Sequence, residues 1–388
     1  MRVAYVSADP GVPVFGRKGA SVHVREVVRA LRRRGATVEL FAARHGGEAP
    51  ADLADVRMHR LPSPGRGPAA ERERRAQRAA ETLPRLLAAA GPFDLLYERY
   101  SLWSTAALDW AAGAGVPSLL EVNSPLVEEQ ARHRALVDRV GAERRAREAL
   151  ASAGAVLTVS EPVAAWVRAT RPTAAIAVVP NGVDVERFAV PRRPSAGPVT
   201  VGFVGTLKPW HGVEHLVEAV GRLAAAGRPL RLLLVGDGPQ RPALEDAVAA
   251  AGIASDTSWT GAVEPDRVPA LLAGVDIAAA PYPASADRYF SPLKVLEYLA
   301  AGVPVVASRI GQVPALLEGG RAGVLVPLGD SAALAAALDA LAGDTQRRAE
   351  LAAAGRRAAA GRSWDAVVAQ ALAAAARGVP ASAAGRVA

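Results

Sequence analysis

Short apolar runs rich in β-branched residues alternate along this chain with longer stretches rich in alanine, leucine and arginine, and the alternation runs through twice. An apolar run of four to seven residues bounded by turn residues reads as a strand buried on both faces, and the helical stretches between such runs read as crossovers. This alternation builds parallel sheets covered by helices. In the first half it predicts strands at 3–7, 37–42, 56–61, 95–98, 118–122, 155–160 and 176–179, with helices over 21–34, 69–90 and 127–151. The stretch 191–198 (PRRPSAGP) sets three prolines in eight residues and reads as a linker. The pattern then restarts with strands at 199–204, 230–235, 276–280, 303–307 and 324–326, and a helix over 213–226 whose Leu216, Val220 and Leu223 share one face.

A chain of 388 residues exceeds what one core usually organises. Two Rossmann-like, doubly wound α/β domains are therefore expected: residues 1–190, the linker 191–198, and 199–362. They are expected to face each other across a cleft lined by strand C-termini, where such sheets bind ligands. The last helical stretches, 332–341 and 345–376, can pack against either domain. Residues 363–388 are read as a helix returning to the first domain, with a loose tail from Gly378. The absence of cysteine excludes disulfides, thiol catalysis and Cys-ligated zinc, and fits a reducing compartment. The N-terminal MRVAYVS alternates like a strand and lacks the apolar core of a signal peptide. No uncharged apolar run approaches the ~20 residues of a membrane span. A soluble, cytoplasmic protein is expected.

The formal net charge is +8, and residues 1–190 hold most of the excess. The basic clusters at 72–85 and 132–147 are interleaved with glutamate at helical spacing, which reads as salt-bridged helix faces rather than a binding patch. No aromatic residues interleave with them as single-stranded nucleic acid would require, so no nucleic-acid partner is expected. Peripheral contact of the basic first domain with an anionic membrane surface is the most the charge supports.

Only three of the 46 basic residues are lysines: Lys18, Lys208 and Lys294. Each stands at a glycine- or proline-marked turn (GRKG, VGTLKPWHG, SPLK) that reads as a strand-to-helix loop, the place where α/β folds hold phosphates. A compact ammonium suits such a site where arginine serves elsewhere.

Five blocks follow in order: PNGVD at 180–184, GFVGTLK at 202–208, VGDGP at 235–239, WTGAV at 259–263 and YFSPLKVLEYLAAGVPVVA at 289–307. In this order and spacing, together with GASVHV at 19–24, they resemble the GT-B nucleotide-sugar glycosyltransferases, specifically the large retaining family 4. The residues themselves support a diphosphate site. Ser291 suits an N-cap and Pro292 the first helical position, so the helix 292–301 would present its positive end to the cleft. Lys294 adds a full charge in its first turn, and Glu297 lies near the same face. In the family the position matching Glu297 hydrogen-bonds the ribose hydroxyls, a task that suits a carboxylate; the alternative is a salt bridge within its own helix. The resemblance implies donor contacts at Gly19, Thr206, Gly236, Asp237, Gly238, Ala262, Val263, Ser291, Pro292, Leu293 and Glu297.

Several positions depart from the family pattern. Tyr289 stands where an acidic residue is common, and Thr206 and His211 stand where Arg and Lys are common. Lys208 and Lys294 are therefore expected to neutralise the leaving diphosphate, with His211 either an added donor or a histidine packed beside Trp210. Asn123 replaces a mid-domain histidine and would offer hydrogen bonds, not proton transfer, while Glu121 reads as structural. Lys18, His23, Arg99, Tyr100, His211 and Tyr289 are candidate acceptor or sugar contacts; His23 reads equally as a packed helix residue.

The sequence contains no D-x-D and no His/Asp/Glu cluster of metal-binding spacing, so metal-independent chemistry is expected, with no cofactor beyond the nucleotide sugar. Retention at the anomeric carbon follows from the resemblance. UDP is favoured as donor nucleotide and GDP next, because Glu297 would use a ribose 2′-hydroxyl; the acceptor is a hydroxyl compound of unread type. A non-catalytic GT-B scaffold binding a nucleotide or partner is the alternative. An NAD-dependent oxidoreductase is more distant, since Arg241 occupies the third glycine position after Gly236-Asp237-Gly238. Adjacent Glu128 and Glu129 point in different directions on a helix and cannot flank a bond as a glycosidase pair.

Overall fold

The computed structural model describes residues 1–193 and 197–378. Part of the proline-rich linker and the tail expected beyond Gly378 lie outside the described residues. The chain forms two parallel-sheet units. One comprises Met1–Asn181, Tyr289–Ser291 and the chain from Trp364; the other comprises Gly182–Arg288 and Pro292–Ser363. The division falls at Asn181/Gly182 rather than in the proline-rich stretch. The Arg192 guanidinium donates to the Leu272 and Val275 carbonyls and Arg193 N–H to the Ala273 carbonyl, which holds this segment on the second unit.

The first unit carries seven strands: β1 (Arg2–Ser7), β2 (Thr37–Ala42), β3 (Met58–Arg60), β4 (Leu95–Arg99), β5 (Ser118–Val122), β6 (Ala155–Thr158) and β7 (Ile176–Val178). They pair in parallel in the order β3-β2-β1-β4-β5-β6-β7. The chain leaves β1 toward one edge and returns to its other side at β4, so the C-terminal ends of β1 and β4 flank the switch point where open sheets bind ligands. One sheet face sends Ala4, Val6, Leu96, Leu120 and Val122 into an aliphatic core with Leu83, Leu87 and Leu108. The alternate positions carry Tyr5 and Tyr97, stacked at 5.1 Å, and Glu121.

The second unit has six parallel strands: β8 (Thr200–Val204), β9 (Arg231–Val235), β10 (Thr257–Gly261), β11 (Ile277–Ala280), β12 (Val305–Ser308) and β13 (Val324–Val326). Their order is β10-β9-β8-β11-β12-β13, which puts the switch point between β8 and β11. The edge strand β10 is absent from the sequence prediction. It is only half-buried and reads Thr-Ser-Trp-Thr-Gly, without the apolar run that marked its neighbours.

Three predicted helices are broken. The stretch 69–90 divides into Ala69–Ala80 and Leu83–Ala90, because Pro84 lacks an N–H and cannot sit in a helix interior. The stretch 127–151 divides into Leu126–His133 and Arg139–Ser152, the second capped by Asp138 accepting from Gly141 N–H at 2.8 Å. The terminal stretch divides into Thr345–Ala360 and Trp364–Gly378. The latter packs on the first unit, with Trp364 only 2% exposed. Among the described residues no helix is long and apolar enough to cross a membrane.

Candidate functional site

In the second unit, the site is organised by the helix Leu293–Ala300 at the β8/β11 switch point. Its Tyr298 hydroxyl accepts from Val204 N–H of β8 at 2.8 Å and donates to the Ala279 carbonyl of β11 at 3.5 Å. Those two bonds fix the helix across the switch point and bring its first turn, with Lys294, over the ends of the strands. The N-cap is Pro292, in extended conformation, and not Ser291. Ser291 belongs to the first unit, where its hydroxyl accepts from Asn181 N–H at 3.1 Å and its carbonyl from Asn181 Nδ2 at 2.9 Å. The capping role expected for Ser291 is thus taken over by an anchoring one.

The Lys294 Nζ lies 4.0 Å from the centroid of the Phe203 ring and 5.8 Å from that of Tyr282. The atom is buried and has no hydrogen-bond acceptor among the described residues. Burial pushes its pKa down to about 7, and Glu297, three residues along the helix, opposes the shift. A desolvated ammonium held over an aromatic face, with no anionic oxygen bonded to it, is poised for an anion.

One glycine loop lies beside it, and a second packs against the first. Gly205 N–H donates to the Val235 carbonyl at 2.9 Å, Leu207 N–H to the Asp237 carbonyl at 3.0 Å, and Gly238 N–H to Asp237 Oδ1 at 2.8 Å. Gly236 has φ +137°, and a Cβ there would collide with the Gly205 carbonyl. A Cβ on Gly205 would stand 3.0 Å from the Lys294 ammonium. Gly236 is therefore required by the close approach of the Gly205 carbonyl, and Gly205 is favoured by its φ of +148°.

Lys208 follows the first of these loops, half-buried, with its ammonium 5.5 Å from the Trp210 ring centroid. His211 lies within the influence of both lysines. Burial first, then Lys294, and finally Lys208 push its pKa down to about 3, against the opposing hydrogen bond to Thr206. Its Nδ1 lies 2.5 Å from the Thr206 carbonyl, so Nδ1 carries the proton and Nε2 is an acceptor. The imidazole, edge-on to Trp210, is neutral, and the donor role expected for it does not fit this tautomer. Thr206 contributes its carbonyl to that bond. Ala262 and Val263 follow β10, with Ala262 exposed and Val263 half-buried.

In the first unit Lys18 stands apart from the other sequence-derived residues. His23 is buried: its Nδ1 lies 2.9 Å from Asn181 Oδ1, its Nε2 2.7 Å from Glu121 Oε1, and its ring edge-on to Trp364 at 5.1 Å. It is a packed residue joining the helix Gly19–Arg33, β5 and the C-terminal helix, which corrects the acceptor-contact reading. Burial alone would raise the Glu121 carboxyl, but His23, Arg99 and Tyr97 outweigh it and hold it below the usual range. Tyr289 is half-buried; its carbonyl accepts from Ser160 Oγ at 2.5 Å and its hydroxyl donates to Glu129 Oε2 at 3.3 Å. Tyr100 is 4% exposed, and burial raises its hydroxyl pKa. Arg99 and Asn123, at the ends of β4 and β5, each have one buried polar atom, Nη1 and Oδ1, without a hydrogen bond among the described residues.

Lys18 instead lines a pocket of about 640 Å³, formed by the loops after β1, β2, β3 and β4 and by two helices. Of the sequence-derived residues only Lys18 lines it, beside Gly19; Asp9, Arg44, Arg72 and Arg134 were not singled out. Among the described residues no three His, Cys, Asp or Glu side chains converge as a metal site would require.

The model of the family described as glycosyl transferases group 1 matches residues 198–344, and that of Glycosyltransferase Family 4 matches 17–187. A D-inositol 3-phosphate glycosyltransferase of Stackebrandtia nassauensis is 30% identical over 389 residues, spanning 91% of this chain and 86% of that protein. This chain belongs to the family-4 glycosyltransferases. The 2-deoxystreptamine glucosyltransferase of Streptomyces kanamyceticus is 36% identical over 181 residues, but the match spans 42% of this chain and only 45% of that enzyme's length. Sucrose-phosphate synthase from Thermosynechococcus elongatus shares the fold, with a TM-score of 0.74 at 21% identity over 95% of this chain and 97% of that one. The two parallel-sheet units of this glycosyltransferase are those of the GT-B class.

The family resemblance directs attention to the C-terminal motifs, whose spacing is legible in sequence. It passes over the arginines of the first unit because they lie within clusters that look like ordinary helix faces. Some are: Arg75 pairs with Glu71, and Arg139 with Glu143 at 2.9 Å. Arg72 and Arg134 come from the same clusters and line the pocket, a distinction that only their place on the helices could have signalled.

Proposed function

We propose that this family-4 glycosyltransferase transfers a sugar from a nucleoside-diphosphate sugar to a hydroxyl acceptor with retention at the anomeric carbon, using neither a metal ion nor a resident cofactor. One observation carries the reading. The Lys294 ammonium is buried at the switch point without a hydrogen-bond acceptor among the described residues, beside Gly205, whose loop is in turn packed against Gly236. As the bond from the anomeric carbon to the diphosphate oxygen breaks, negative charge grows on the departing phosphates. A preorganised ammonium in a low-dielectric site stabilises that charge without reorganising solvent. Lys208 adds a second, more exposed positive charge, and Glu297 accepts hydrogen bonds from the ribose hydroxyls, which disfavours a deoxyribose donor; UDP, and then GDP, is the donor nucleotide of this reading. The acceptor oxygen forms the new bond on the face the diphosphate leaves, and its proton passes to a diphosphate oxygen.

The test is a panel of UDP-, GDP-, ADP- and dTDP-sugars with the wild type and Lys294→Ala, with and without EDTA. Product anomers are read by NMR. The proposal predicts α-linked product from an α-linked donor, turnover unaffected by EDTA, and loss of turnover in the variant without loss of fold. Inverted product, EDTA-sensitive turnover, or a variant as active as wild type each removes part of it. Nucleotide binding without diphosphate release would instead indicate a non-catalytic scaffold.

A further inference from the structure

The pocket of the first unit lies at that unit's own switch point. Ala8–Gly11 follow β1, Ser101–Ser104 follow β4 and Arg44 follows β2, so its walls are the loops where an open parallel sheet receives a ligand. Its volume of about 640 Å³ suits a compound of one or two rings. The lining is two-natured. Trp103, Leu102 and Leu126 give it an apolar side, while Lys18, Arg44, Arg72 and Arg134 give it four positive charges.

Only two carboxylates, Asp9 and Glu73, share the lining, and each is engaged with backbone. Glu73 accepts Val137 N–H at 2.8 Å through one oxygen and Asp138 N–H at 3.0 Å through the other. Asp9 Oδ1 accepts Gly11 N–H at 2.7 Å. Two of the cations converge on the same short loop. Lys18 Nζ donates to the Gly11 carbonyl at 3.0 Å, and Arg134 Nη1 stands 3.8 Å from where a Gly11 Cβ would lie. Among the described residues the Arg134 guanidinium donates a long bond to Gln130 Oε1 at 3.4 Å. An excess of positive charge at the mouth of a pocket with an aromatic wall fits a ring compound carrying a multiply charged anionic group.

We propose that this pocket binds the acceptor, and that the acceptor is a phosphorylated polyol, its ring against Trp103 and its phosphate held by Arg72, Arg134 and Lys18. The proposal rests on the glycosyl-transfer reading and deepens it. It also separates two acceptor chemistries named among the relatives: the charge of this pocket attracts a phosphate, as in D-inositol 3-phosphate, and repels an amine, as in 2-deoxystreptamine.

The test is equilibrium binding by calorimetry without any donor, using D-inositol 3-phosphate, inositol and 2-deoxystreptamine. A second arm uses phosphatidylcholine vesicles with and without phosphatidylinositol. The phosphate ester is expected to bind at least about tenfold more tightly than inositol, with affinity falling as salt rises. Arg72→Gln combined with Arg134→Gln should erase that preference while leaving the melting temperature and UDP-sugar binding unchanged, since both side chains are exposed. Binding confined to phosphatidylinositol vesicles would assign the phosphate to a lipid headgroup. Equal binding of inositol, stronger binding of 2-deoxystreptamine, or an unchanged double variant would overturn the proposal. Intact UDP-sugar binding in such a case would leave the transfer reading standing; failure to bind any nucleotide sugar would remove that reading instead.

Discussion

The buried ammonium of Lys294 should make donor binding depend steeply on pH, with a slope that this one residue sets. In the free protein its pKa is pushed down from 10.5 to about 7 by burial over Phe203 and Tyr282. A diphosphate placed against it restores the charged form, so binding draws in a proton wherever the free lysine is neutral. The charged fraction of the free lysine is about 0.9 at pH 6, about 0.5 at pH 7 and about 0.01 at pH 9. Affinity for a UDP-sugar should therefore be level below pH 7 and fall about tenfold per unit above it, close to a hundredfold between pH 6 and pH 9. Both phosphates of a nucleotide sugar are esterified, so neither titrates in this range, and the Lys294→Met control removes whatever the uracil N3–H contributes near pH 9. His211, held down to about 3, contributes none either.

Calorimetry across that range tests the slope, and Lys294→Met is the control. The variant should bind about 10- to 100-fold more weakly at pH 6, the loss expected for a charged hydrogen bond, and show no slope. A second readout has the opposite sign. For a lysine whose pKa is lowered on folding, the cost of the buried charge is fully present below the folded value near 7 and fades as pH rises toward 10.5. That cost is on the order of 5 kcal/mol at most. Without ligand, Lys294→Met should thus melt higher than wild type at pH 6, with the gain shrinking above pH 7. A wild-type affinity flat from pH 6 to 9, or an equal slope in the variant, would refute the assignment of Lys294 to the diphosphate.

Three further outcomes follow from the same geometry. Lys208→Ala should lower kcat by about 10²–10³ with little change in melting temperature, since its charge is spent on the transition state and its side chain supports no core; steady-state kinetics decide. Glu98 is buried on β4, and desolvation raises its carboxyl to about 7, so the stability it permits is complete below its unfolded value near 4.5 and lost as pH rises through 7. Glu98→Gln should accordingly leave urea stability unchanged at pH 4 and raise it by up to about 3 kcal/mol at pH 8. His23→Ala should cost about 1–3 kcal/mol in the same assay at pH 7, because it removes one of the partners of the buried Glu121 carboxylate and leaves Arg99 and Tyr97; no loss at all would show that the pair is not coupled.

Sequence alone determined the class of fold and the candidate diphosphate loop. Apolar period and turn residues locate the strands and the main crossovers, because a strand buried on both faces needs a continuous apolar run. The Gly236 and Gly205 loops are legible because few residues other than glycine tolerate such close backbone approach. Where local pattern is weak, it misleads: β10 lacks an apolar run, and Pro84 divides a helix whose composition reads as continuous. Tertiary structure decided what the polar residues do. Ser291 bonds Asn181 in the first unit rather than capping a helix, Tyr289 bonds Ser160 and Glu129, and His23 is sealed against Glu121 and Trp364. Lys18, Arg44, Arg72 and Arg134 come from separate segments: the first two follow β1 and β2, and the tertiary structure brings Arg72, on the helix after β3, and Arg134, at the end of the helix after β5, to the same pocket. Lys294 follows the same logic. Its position in the motif is written in the chain, but its lowered pKa is not, because proton affinity depends on which distant side chains exclude water from the nitrogen.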